Sequence, residues 1–164
     1  MSQNESTTGA LSQDGTAADA IAAGVMRDAD EFTIEIENIG GITHKKRTLP
    51  VGVTPLVGAN ATKRSSFLSG IMAGLGSTSD AITVNTAADD GEGRVELSVN
   101  DDMFTRTVRS TGSSGGRVFN GSPIVEDADA AEKLDLYAFL HGDNEVRNVI
   151  ESDGDVYDVL MRPV

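Results

Sequence analysis

The first regular pattern in the chain starts at Glu31. Phe32, Ile34 and Ile36 alternate with Thr33, Glu35 and Glu37, the period of two that a strand needs when one face is buried and the other is in water. Asn38 to Gly41 break the run, and His44 to Leu49 read as a second strand. Val51 to Val57 continue in extended form. Pro50 and Pro55 limit how central either stretch can be, because proline has no N–H for a ladder. Phe67, Leu68, Ile71, Met72 and Leu75 then fall at i, i+1, i+4, i+5 and i+8, which predicts a helix. Gly70 and Gly74 weaken that helix, so they point to close approach of a neighbouring sheet, and Gly76 stands where a C-cap belongs. Between Ala81 and Val125 short β runs return: Ile82 to Val84, Arg94 to Val99, Met103 to Arg109 and Arg117 to Phe119. Asn100-Asp101-Asp102 is a tight hairpin signal, and Ser110 to Gly116 is a longer loop. From Asp127 the period is helical, with Leu134, Tyr137, Ala138 and Phe139 apolar, a second short helix over Glu145 to Ile150, and a third from Asp155 towards Met161. The element order is that of an α/β domain over residues 31–164. Residues 1–30 are Ser, Thr, Ala, Gly and Asp without periodicity and read as a disordered tail, with at most a transient helix over Ala17 to Met26.

Composition narrows this picture. In 164 residues, 38% hydrophobic content supports one core, and 4% aromatic content without Trp makes that core aliphatic. Twenty-six acidic residues against 13 basic ones give a net charge of −13, which disfavours unaided binding to DNA or to an anionic membrane and leaves DNA an indirect partner. An acidic excess with only Lys45, Lys46, Lys63 and Lys133 as lysines is the balance of a protein from a salt-saturated cytoplasm. No cysteine is present, so thiolate chemistry and disulfides are excluded. Neither a basic, apolar leader nor a membrane-length apolar run occurs, and a cytoplasmic address follows by default.

The chemistry concentrates in residues 52–66, which read as a strand running into a phosphate-binding loop and then a helix. In the motif G-x-x-x-x-G-K-[ST], glycines let consecutive N–H groups curl around phosphates, the Lys reaches the outer phosphates and the hydroxyl binds Mg²⁺. Gly58 holds the first position and Ser65 the hydroxyl position, whereas Lys63 stands at the second glycine and Arg64 at the Lys. Helix-start N–H groups with Arg64 could still bind phosphate; a relic turn is the alternative, because residues such as Ala61 and Lys63 resist the positive φ that glycine accepts. His44-Lys45-Lys46-Arg47 is the one cationic run, open to contact with DNA or nucleotide phosphate but better explained as a solvated hairpin. His44 and His141 have no metal-ligand spacing. The Asp127/Asp129 and Asp153/Asp155 pairs suit helix caps rather than calcium loops. No Ser/His/Asp arrangement recommends a hydrolase.

Glu37-Asn-Ile-Gly-Gly-Ile42, Gly58-Ala-Asn-Ala-Thr-Lys-Arg-Ser-Ser66, Ile71-Met-Ala-Gly-Leu-Gly-Ser77, Gly93-Arg-Val-Glu-Leu97 and Leu160-Met-Arg-Pro-Val164 together resemble the start of the archaea-specific SMC-related proteins of haloarchaea, which are similar to the coiled-coil ABC ATPases of chromosome maintenance and DNA repair. The resemblance covers about residues 31–164. It implies the N-terminal lobe of an ABC-type head, with a mixed or antiparallel sheet around a degenerate P-loop helix. By position it implies that Gly58, Asn60, Ala61, Thr62, Lys63, Arg64, Ser65 and Ser66 line the phosphates of ATP, with Ser65 the Mg²⁺ ligand. Tyr137 to Ile150 resembles the helical segment after the glutamine loop. The only glutamines are Gln3 and Gln13, and no apolar run precedes an Asp-Glu pair. Hydrolysis is therefore expected to need a C-terminal ABC lobe, from a second chain or a full-length SMC-like protein, and a homodimer is a further partner open to the chain. The competing reading is a non-enzymatic interaction or assembly module that keeps the fold without nucleotide chemistry.

Overall fold

The computed structural model of the chain describes residues 29–58, 63–111, 116–139 and 144–161. Among them, five strands form one sheet: β1 (Glu31–Ile39), β2 (Ile42–Pro50), β3 (Glu92–Val99), β4 (Asp102–Thr111) and β5 (Gly116–Ser122). Their spatial order is β2-β1-β3-β4-β5, and each neighbouring pair is antiparallel. Of the two arrangements expected, mixed or antiparallel, this is the antiparallel one. Ile39 pairs with Ile42 across Gly40-Gly41, and Val99 pairs with Asp102 across Asn100-Asp101, where the hairpin signal lies. Gly40 has φ 53°, and a Cβ there would sit 2.6 Å from Ser66 Oγ. Glycine alone satisfies both conditions cheaply.

One sheet face is dry. Ile34, Ile36, Val95, Leu97, Val99 and Val108 are 0–1% exposed, and burying each such aliphatic side chain stabilises the fold by roughly 1.5–3 kcal/mol. Helix α1 (Arg64–Leu75) covers this face, but it does not use all of the apolar stripe to do so. Leu68 is 41% exposed, and Ile71 and Leu75 are half-buried. Small residues one turn apart approach the sheet instead. Ser66 Oγ accepts the Gly41 N–H at the β1–β2 turn, a Cβ on Gly70 would collide with Ile36 of β1, and one on Gly74 would collide with Leu97 of β3. At the far end, the buried Arg106 of β4 donates to the carbonyls of Ala73 (3.1 Å) and Ser77 (2.8 Å) and lies 4.6 Å from the Phe119 ring centre. Burial pushes the Arg106 pKa down, and the charge of Asp135 opposes that shift. Helix α1 thus runs diagonally from the β1–β2 turn to β4, and Gly76, at φ 127°, caps it as expected.

Three expectations need correction. Residues 51–58 contain no strand: Pro50 and Pro55 lack an N–H, the Val51 N–H goes to the Asp30 carbonyl, and Val53 and Val57 are 102% and 87% exposed. Ile82 to Val84 contribute one bridge, Ile39 to Val84, rather than a strand. The first helix after Asp127 is cut short, α2 (Ala128–Lys133) giving way to a π-helical turn over Leu134–Ala138, while the second and third helices stand where expected as α3 (Glu145–Glu151) and α4 (Val156–Leu160). Asp127 and Asp155 do cap helices, accepting from the Ala130 and Tyr157 N–H groups. Strand β1 starts at Glu31, and Ala29 before it is already buried; the reading of residues 1–28 as a tail, Ala17 to Met26 included, lies outside the described residues. No helix among the described residues is long and apolar enough to cross a membrane.

Candidate functional site

Two features meet at the start of α1. Lys63 occupies the helix N-cap with φ 61°, a left-handed conformation, and its side chain makes no capping hydrogen bond. This is the position where the common loop carries glycine, so the backbone shape that glycine favours is held here by a lysine. Arg64 and Ser65 follow on the exposed first turn, which has no acidic residue to offset the partial positive charge of the helix start.

The second feature comes from β2. Its residues alternate, and α1 packs mainly on β1, β3 and β4, so the inward-facing side of this edge strand is only partly covered: Lys45 and Leu49 are half-buried and Arg47 is exposed beside the helix start. Lys45 and Arg47 pair in register with the buried Ile36 and Ile34 and therefore point to the α1 side. With Lys63 and Arg64 they line a cleft of about 280 Å³, backed by Phe67 and walled by Pro55 and Leu56. The Lys45 ammonium lies 5.8 Å from the Phe67 ring centre, a cation–π distance. Among the described residues, none that lines the cleft is a carboxylate. In a chain of net charge −13, four cations around one cleft form a local positive potential suited to an anion.

The alternate residues of the same strand behave differently. His44 Nε2 lies 2.8 Å from Glu35 Oε1, and Lys46 Nζ donates to Glu35 Oε2 at 2.7 Å. These two hydrogen bonds, chiefly the one to His44, lower the Glu35 pKa to about 2, and Glu35 in turn raises that of Lys46. Glu35, Glu37 and His44 come close enough to offer three ligand atoms to a metal, a grouping that linear spacing did not show because it is assembled across two strands. Both oxygens of Glu35 are already engaged by His44 and Lys46.

Of the loop residues singled out from sequence, Lys63 and Arg64 line the cleft, Gly58 is exposed at the end of the preceding segment, and Ser65 is exposed on the first helical turn. The Ser66 hydroxyl is taken up by the β1–β2 turn. Asn60, Ala61 and Thr62 lie outside the described residues. Lys45 and Arg47 join the site although sequence favoured a solvated hairpin for their run. The signal for them was the strand period, which sends Lys45 and Arg47 to one face and His44 and Lys46 to the other.

The donor set bears directly on Mg²⁺. Such an ion is held by one or two carboxylates together with phosphate oxygens and water. Among the described residues the cleft supplies four cations and no carboxylate, with the Ser65 hydroxyl nearby in sequence. This set does not fit a Mg²⁺ site.

No protein-family model matches the chain. Over 139 residues it is 41% identical to the Smc-like protein Sph3 of Haloferax volcanii, a match covering 83% of this chain and 20% of that protein. It is 35% identical over 140 residues to the Smc-like protein Sph2 of Halobacterium salinarum, covering 85% of this chain and 20% of that protein. The chain is a homologue of the haloarchaeal Smc-like proteins. It spans about a fifth of the length of these relatives, and their haloarchaeal origin agrees with its acidic composition.

Proposed function

We propose that this Smc-like chain binds the phosphates of a nucleotide, ATP by resemblance, at the start of α1, as one half of a nucleotide-binding head whose remaining groups come from other parts of an SMC-like assembly. The observation that carries the reading is the cleft in which Lys63 and Arg64 from the loop converge with Lys45 and Arg47 from β2, with no carboxylate among the described lining residues. The left-handed Lys63 at the helix start supports it, since phosphate-binding loops use that conformation to turn N–H groups toward an anion. Service in DNA repair or chromosome maintenance is part of the same proposal and rests on the resemblance.

The exposed apolar segment before the loop supports the need for a partner. Val53 and Val57 are almost fully in water, and an apolar segment left extended and unpaired is a surface for another chain or lobe. Pairing through this segment without nucleotide is the interaction-module reading. Isothermal titration of ATP into the chain, alone and with the remainder of an SMC-like protein, separates the two: binding that strengthens with the partner is expected, and association of the two proteins with no detectable nucleotide binding at millimolar concentration would leave the interaction module. Hydrolysis is expected only in the assembled state.

A further inference from the structure

The charge inventory of the cleft says more about its ligand than that it is an anion, provided the phosphate-binding reading holds. A nucleotide in a Mg²⁺-dependent site arrives with part of its charge already neutralised by the metal, and the protein adds carboxylate or hydroxyl ligands to that metal. Here Lys45, Arg47, Lys63 and Arg64 surround the cleft, and among the described residues no Asp or Glu lines it. The described group best able to hold a metal, Glu35, Glu37 and His44, is on the opposite face of the sheet by the alternation of β1 and β2. A divalent cation brought into the cleft would meet four like charges. We infer that this chain binds a di- or triphosphate as the metal-free anion, neutralised by its own lysine and arginine side chains.

Guanidinium and ammonium groups bind phosphate oxygens by charge-assisted hydrogen bonds that need no bridging ion. Adding Mg²⁺ removes two negative charges from the ligand while contributing nothing the cleft can hold. Binding should therefore weaken when Mg²⁺ is added.

The test is calorimetric titration of tripolyphosphate and of ATP into the chain, each in EDTA and in excess Mg²⁺, at the lowest KCl concentration that keeps the chain folded by circular dichroism. The expected result is affinity up to about tenfold tighter in EDTA than in Mg²⁺, consistent with charge-assisted contacts to phosphate, and equal affinity in the two arms would overturn the inference. Ser65→Ala should leave both arms unchanged, and Arg47→Gln should weaken the EDTA arm, with Lys46→Gln on the opposite sheet face having no effect. Binding seen only with Mg²⁺, or a loss in Ser65→Ala confined to the Mg²⁺ arm, would overturn the inference and leave the phosphate site standing. No binding in either arm, with the partner lobe present as well as absent, would overturn the phosphate site and the inference together.

Discussion

Strand β2 carries the same kinds of side chain into two different surroundings. On the outer face His44 and Lys46 meet Glu35 at hydrogen-bond distance, and the charges cancel in place. On the inner face Lys45 and Arg47 share a cleft with Phe67, Lys63 and Arg64, and no carboxylate pairs with them among the described residues. Exposed pairs of the first kind contribute only ~0–1 kcal/mol to stability. Clustered cations of the second kind create a field that draws an anion. The partner set, more than residue type, separates a solvated ion pair from a candidate site, and a one-residue slip of β2 would exchange the two sets.

The largest effects should divide along the same two faces. Ile36→Ala removes a fully buried side chain under α1 and should cost about 2–5 kcal/mol. Glu37→Ala, on the outer face of the same strand, should stay within about 0.5 kcal/mol. Chemical denaturation of both variants in high KCl is the measurement. Equal losses would mean that the sheet is not one-sided and that Lys45 and Arg47 have no preferred face.

Next comes the cleft itself. A charge-assisted contact to phosphate is worth on the order of 1.5–3 kcal/mol, so Arg64→Ala should weaken ATP binding by about ten- to a hundredfold. Lys46→Ala on the outer face should leave it unchanged. If both variants lose affinity alike, binding follows net charge rather than the cleft, and the contrast between the faces disappears.

Much of this was legible in the chain, for identifiable reasons. Alternation in β1 was clear because Ile34 and Ile36 face a dry helix while Glu35 and Glu37 face water. The Gly70 and Gly74 signal was read correctly as close approach, because only glycine leaves room for Ile36 and Leu97 at those points. The misreadings have a common source in tertiary context. Val51 to Val57 has strand composition, but a strand exists only when a neighbour accepts its hydrogen bonds, and the Val51 N–H to the Asp30 carbonyl is not continued by a ladder along the described residues of this segment. The helical stripe of α1 overlooked Ser66 as a contact residue because a small polar side chain contributes no hydrophobic signal. The strand period separates Lys45 and Arg47 from His44 and Lys46, but which pair faces α1 follows only from the register of β1 and β2.

Lys63 offers a smaller effect. Its φ of 61° belongs to the folded backbone, so relieving that strain acts on stability. Lys63→Gly should therefore raise stability by about 0.5–1 kcal/mol, the left-handed cost relieved being partly offset by the greater freedom of glycine in the unfolded chain. The same change removes one of the four cleft cations, so phosphate affinity should fall while the melting temperature rises. A variant that gains in both would place the strain in the binding step and weaken the view that the cleft works by charge.

The smallest effect concerns Glu35 on the outer face. Its hydrogen bonds to His44 and Lys46 lower its pKa from 4.5 to about 2 in the folded chain. A group with a depressed folded pKa stabilises the native state fully above its unfolded pKa, and that contribution fades as pH falls from 4.5 towards about 2. Many other carboxylates protonate over the same range, so the informative quantity is the difference between the wild type and Glu35→Gln. The gap in melting temperature should be small near neutral pH, because these groups are in water, and should shrink further through the acid window. Molar KCl should reduce it at every pH by screening the pair. A gap that stays constant from neutral pH down to about pH 2 would show that the Glu35 carboxylate gains nothing from His44 and Lys46, leaving the outer face with no internal charge pairing to set against the inner one.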